Sequence, residues 1–194
     1  PDVTKHTKEL FGFLSDLFPE FFKEDAYTRI EHFYAKNDRQ EMAVEEDYFR
    51  LSVEHIGITE GAGLSEVLTQ VFQPMVDRGS VTTEYVQVCR EIFLQDFQYM
   101  MIAYECYLPH AKPEFGVMRP DYQILLIKDG IQLPNGDVLK VLVALAPSAG
   151  NQHVEWLLNI NQLFLEDGVQ RRLRDVNTEQ SFFSLLEEGF ERIS

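Results

Sequence analysis

The stretch VLKVLVALA, residues 138–146, is apolar at nearly every position. A strand with one solvated face alternates apolar and polar residues, so a run without alternation requires cover on both faces. The chain must therefore build a sheet with helices on each side, and the neighbouring segments are suited to that. "LSEVLTQVFQPMVDRG" has apolar residues at helical spacing and an end marked by Gly79; Thr82 or Thr83 is placed to cap the next helix, "TEYVQVCREIFLQDF". "YFRLSVEHIGI" alternates as a strand and closes on the turn "EGAG". "ECYLPH", "YQILLI" and a short "IQLP" are apolar segments of strand length, and "NGD" reads as a turn before the buried run. Beyond it, Asn151 is placed to cap a helix "QHVEWLLNINQLFL", and Thr178 to cap a last one through "SFFSLLEEGFERI". The fold class expected is α/β, a mixed sheet flanked by helices.

Ahead of this core, residues 1–48 have apolar residues at helical spacing on both sides of Pro19, which predicts two helices, with "KNDRQEMAVEED" (36–47) as a polar linker or a frayed helix end. The domain organisation expected is a helical arm or linker over 1–48 and a compact domain over 49–194. The first residue is Pro1, which fits either a processed initiator methionine or a piece of a longer protein.

Charge narrows the partners. The chain has 32 acidic against 17 basic residues and a formal charge of −15, a field that repels nucleic-acid backbones and anionic lipid heads. A basic protein surface is its natural complement. No apolar run reaches the roughly 18 to 20 residues that cross a bilayer, and the N-terminus lacks a signal-peptide core, so a cytoplasmic location is expected. Cys89 and Cys106 have no CxxC spacing, which argues against a zinc site or a disulfide framework and leaves them as small apolar residues.

Few residues offer chemistry. "GAG" at 61–63 lacks the lysine and spacing of a phosphate-cradling loop, no GxSxG elbow exists, and the carboxylates are scattered over polar helix faces. Of the five histidines, His6 and His32 read as solvated or boundary residues of the arm, and His55 as a packing residue of a strand. His110 terminates an apolar strand at Pro109, and His153 lies in the first turn of a helix, where unpaired N–H groups and the positive helix end attract an anion. Brought together, the two would form a phosphoryl site. One imidazole would act as nucleophile, and the other as donor to the phosphoryl oxygens.

The segment "YLPHAKPEFGV" resembles the PH-motif loop of the mannitol/fructose class of enzyme IIA domains of the bacterial phosphoenolpyruvate:sugar phosphotransferase system, in particular the ascorbate-like branch. The likeness continues in order through "YQILLIKDGIQLPNGDVLKVLVALAPSAGNQHVEWLLNINQLFLEDGVQRRL" to the tail, over roughly residues 50–194. The resemblance implies that His110 accepts a phosphoryl group from the phosphocarrier HPr and passes it to a cysteine of an enzyme IIB protein or domain, with His153 in support and no metal or cofactor. It makes Arg90 a candidate for the upstream arginine common in these domains; Asn151 is taken as a further phosphoryl-site candidate, and a homodimer is among the assemblies to test. Where the family has a Ser/Thr- and Gly-rich approach to the histidine, this chain has "LQDFQYMMIAYECYLPH", without a glycine. The alternative implied by the resemblance is a C-terminal regulatory domain of a sugar-responsive transcription activator or antiterminator, switched by phosphorylation or by contact with IIB.

Overall fold

In a computed structural model the chain divides into two units, Pro1–Glu46 and Asp47–Ser194. Residues 49–61, 63–147 and 152–193 are described, so the expected N-terminal helices and the Asn151 cap lie outside the described residues.

The second unit is built on a five-stranded mixed sheet of strands β1 (Ile56–Thr59), β2 (Met101–Ala103), β3 (Cys106–Tyr107), β4 (Asp121–Gln132) and β5 (Val138–Ala146). Their order across the sheet is β1-β4-β5-β3-β2. β1 runs parallel to β4 and β3 parallel to β5, while the β4–β5 and β2–β3 pairs are antiparallel. The run VLKVLVALA is thus the central strand, and residues 139 and 141–146 on it are all buried.

Both of its faces are covered. Helices α1 (Leu64–Asp77) and α2 (Thr83–Asp96) lie on one side, where Val67, Val71, Phe72, Met75, Tyr85 and Phe93 pack with Leu125, Ile127, Leu142 and Ala144. The alternate residues Tyr122, Ile124, Leu126, Val141 and Val143 are buried on the opposite face. That face belongs to α3 (Gln152–Leu165), α4 (Asp167–Leu173) and α5 (Glu179–Ile193). At the crossing of these helices stands Gly189, where a Cβ would lie 2.3 Å from Leu163 Cδ1, so only glycine admits so close an approach.

The helix ends follow their sequence signals. α1 closes with Ser80 N–H donating to Met75 O and Gly79 at φ +68, a six-to-one bond over a left-handed residue. Of the two candidate caps for α2, Thr82 is the one used: its Oγ1 accepts from Tyr85 N–H at 3.2 Å. Thr178 caps α5, accepting from Ser181 N–H.

Four segments differ from expectation. "YFRLSVEHIGI" is not one strand: Val53–His55 forms a 3-10 turn, and only Ile56–Thr59 pairs with β4. "YQILLI" and "IQLP" are one strand, because Gly130 at φ +66 takes up a register shift between Leu126 and Ile131 that would otherwise end the pairing. β2 was not anticipated. It turns into β3 through Tyr104 and Glu105, the latter at φ 58, a turn with no glycine to announce it. α4, in the unassigned stretch after "LFLE", is the fourth.

Candidate functional site

His110 lies three residues beyond the end of β3 at Tyr107. The strand ends there because Pro109 has no N–H to continue the ladder, although its carbonyl still accepts from Leu145 N–H at 3.3 Å. This places His110 at the end of the sheet where the adjacent parallel strands β3 and β5 run out, the usual end for ligands in such sheets. β5 ends at Ala146, and α3, with His153 in its first turn, begins six residues later. Both histidines singled out in the sequence therefore stand at the same end of the sheet.

The His110 ring is 9% exposed and its Nδ1 lies 2.9 Å from the carbonyl oxygen of Leu108. A carbonyl can only accept, so in the neutral ring the proton sits on Nδ1 and the lone pair on Nε2. One backbone contact thus selects the tautomer.

The loop after His110 is fixed from two directions. Tyr85, fully buried on the first turn of α2, places its hydroxyl 2.7 Å from Leu145 O and 3.2 Å from Ala111 N. Its single proton goes to Leu145, and Ala111 N–H donates to its oxygen, so the phenol ties the residue after His110 to the end of the central strand. Burial pushes the Tyr85 hydroxyl well above its ordinary pKa, which keeps it a donor. Farther along, Thr82 N–H donates to Gly116 O and Met118 N–H to Ser80 O, with Val81 bridging Val117. Gly116 at φ +128 is required there, since a Cβ would lie 2.0 Å from Thr82 Oγ1. Replacing Tyr85 by phenylalanine is expected to cost about 1–3 kcal/mol by leaving two buried backbone groups without this partner. Urea denaturation measures that loss.

α3 is seated by aromatic packing one turn beyond His153. Trp156 lies against Tyr122 with ring centroids 4.6 Å apart, and against Phe49 at 5.4 Å. On its other side Tyr122 stacks on His55 at 4.5 Å. His55, read from sequence as a packing residue, also holds Nε2 at 3.2 Å from Asp121 Oδ1. Asp121 is buried at the start of β4, where Arg78, the C-cap of α1, meets it with Nε and Nη2, each 3.1 Å from a carboxylate oxygen. Arg78 Nη1 continues to Gln123 Oε1 at 3.2 Å. Arg119 bonds Ser80 Oγ and Arg78 O, which anchors the residues leading into β4.

Arg90, the cation expected to support the site, is directed elsewhere. Its Nη2 donates to Ser65 Oγ at 2.5 Å, in the first turn of α1, beyond the C-terminal end of β1. β1 is parallel to β4 and β4 antiparallel to β5, so the Arg90 guanidinium points toward the opposite end of the sheet from His110. Both cysteines are buried; burial pushes Cys89 up to about 12 and Cys106 well above its ordinary value, so neither is a ready nucleophile.

The family described as "Phosphoenolpyruvate-dependent sugar phosphotransferase system, EIIA 2" matches residues 51–189. The chain belongs to this family. Among the relatives of this EIIA domain is the mannitol-specific cryptic phosphotransferase enzyme IIA component of Escherichia coli strain K12, 21% identical over 116 residues, covering 59% of this chain and 79% of the relative. The ascorbate-specific EIIA component of the same strain is 27% identical over 110 residues, 55% of this chain and 71% of the relative. Among solved structures, the complex of mannitol enzyme IIA with phosphorylated enzyme IIB from E. coli superposes with a TM-score of 0.60 at 18% identity, covering 72% of this chain and 98% of that one. The fold is that of the mannitol-type IIA domains.

Proposed function

We propose that this EIIA domain accepts a phosphoryl group on His110 Nε2 from phospho-HPr and delivers it to a cysteine of an enzyme IIB protein or domain, in the cytoplasm. The observation that carries the reading is the bond from His110 Nδ1 to Leu108 O, which leaves the nucleophilic lone pair on Nε2. In the first step the N–P bond of phospho-HPr breaks as the Nε2–P bond forms, and the HPr imidazole leaves with the electron pair. Nδ1 keeps its proton throughout, and the Leu108 carbonyl stabilises the positive character of the phosphorylated ring. That character also makes the ring a good leaving group when a thiolate attacks phosphorus in the second step. No general base is needed at His110, because with the proton on Nδ1 the attacking Nε2 carries no proton to lose; the site contributes orientation and charge stabilisation.

His153, in the first turn of α3, is assigned the second role, donating to a phosphoryl oxygen beside the positive helix end. Phe115 and Met118, exposed on the loop following His110, offer an apolar surface to a partner protein. No helix among the described residues is long and apolar enough to cross a membrane.

Incubation with phosphoenolpyruvate, enzyme I and HPr is the test. The expected product carries one acid-labile phosphoryl group, located on His110 by mass spectrometry. His153→Ala is expected to label the same residue about 100-fold more slowly, the usual effect of removing one preorganised donor. An unlabelled wild-type chain, or label on a different residue, overturns the reading.

A further inference from the structure

At the end of the sheet opposite His110 lies a second candidate site. A cavity of about 440 Å³ opens between the β2–β3 turn, the start of β5 and helices α3 and α4. Phe164 contributes to its apolar floor, and Lys140, Arg171 and Arg174 stand around it, with Glu105 as the one carboxylate among the lining residues. In a chain of charge −15 this is a local reversal of sign.

The arginines differ from their neighbour in a telling way. Arg172 pairs with Glu188 at 2.6 Å across to α5. Arg171 and Arg174 make no ion pair among the described residues. Each uses Nε on a backbone carbonyl, Asp167 O and Arg171 O respectively, both at 3.1 Å. That contact steadies the guanidinium and leaves its two terminal amino groups for a ligand. Lys140 is only loosely matched, 4.0 Å from Glu105. Beside them Tyr104 is 68% exposed, held out by a turn in which Glu105 adopts φ 58.

We propose that this cavity binds a small organic phosphate bearing hydroxyl groups. Guanidinium forks match phosphate oxygens two at a time, and Lys140 adds a point charge. The exposed Tyr104 ring presents an apolar face to a carbon skeleton, and Glu105 accepts from hydroxyls. The volume suits a monosaccharide-sized ligand. A long polyanion is disfavoured by the surrounding negative field, whereas a small anion meets chiefly the local cations.

The probe is glucose 6-phosphate, titrated calorimetrically into the full chain and into His110→Ala, which removes the histidine of the other phosphoryl site. Saturable one-site binding is expected in both. The Arg171→Gln/Arg174→Gln double variant should bind about tenfold or more weakly, and Tyr104→Ala, changed at an exposed side chain, should also lose affinity if the arginine variant does not fold. Glucose should not bind, and inorganic phosphate should bind about tenfold more weakly than glucose 6-phosphate. The proposal is overturned by no saturable binding at about 10 mM, by loss of binding in His110→Ala, by unchanged affinity in the arginine or tyrosine variants, or by inorganic phosphate binding as well as the sugar phosphate.

Discussion

Replacing His110 by asparagine is expected to abolish phosphoryl acceptance while the fold persists. Asparagine Nδ2 occupies nearly the place of histidine Nδ1 and donates to the same Leu108 carbonyl, the contact measured at 2.9 Å in the wild type. What it lacks is the Nε2 lone pair. The variant thus separates the two duties of the ring, holding the loop and attacking phosphorus, which His110→Ala removes together. Labelling from phosphoenolpyruvate through enzyme I and HPr should fall below detection, a loss of about 10³-fold or more for removal of the nucleophile. Thermal unfolding should show a midpoint within a few degrees of wild type, equivalent to less than about 1 kcal/mol. Residual label above about one per cent of wild type would mean that another residue takes the phosphoryl group, and the assignment of His110 would fall. A collapse in stability would mean instead that the ring is held chiefly for packing.

The parts of the fold set by local chemistry were readable in advance. VLKVLVALA announced a strand covered on both faces, and it is the central strand; Gly79 and Thr178 mark a helix end and a helix start because a left-handed residue and a side-chain oxygen satisfy backbone groups that the helix leaves open. What escaped is what depends on residues distant in sequence. Residues 48–55 alternate like a strand, yet the chain turns at Val53–His55, where His55 reaches Asp121 and stacks on Tyr122, partners more than sixty positions away. β2 gave no signal because its turn rests on a strained glutamate rather than a glycine. At the candidate site, His110 and His153 stood out by their settings, a proline break and a helix start. Tyr85 and Arg78 did not: an apolar-face tyrosine and a helix-end arginine are ordinary until Leu145 O and Asp121 are placed against them. Arg90 shows the converse, since the family resemblance suggested it for the site and its bond to Ser65 turns it away.

The largest stability effect is expected at Asp121. Its carboxylate, almost fully buried, receives Arg78, the His55 Nε2 contact and Tyr122 N–H, joining the end of α1, the entry to β1 and the start of β4. Asp121→Ala leaves the Arg78 guanidinium, with a side chain 20% exposed, facing only Gln123 and two carbonyl oxygens. Removing one member of a largely buried pair costs about 3 kcal/mol, because the remaining charge loses both water and partner. Acid should erase the difference. Burial pushes the Asp121 carboxyl up, but hydrogen bonds from His55 and Ser80 and the Arg78 charge together outweigh it, so its pKa lies below the ordinary carboxylate value. A depressed folded-state pKa contributes stability in full above the unfolded value, about 4, and loses it as pH falls through the folded value. Urea denaturation at neutral pH and again at about pH 3 should therefore show a wide gap between wild type and Asp121→Ala in the first case and a narrowed one in the second. A gap of the same size at both pH values would assign the loss to the missing side-chain volume, and a gap under about 0.5 kcal/mol at neutral pH would show that Arg78 and His55 find water as good a partner as the carboxylate.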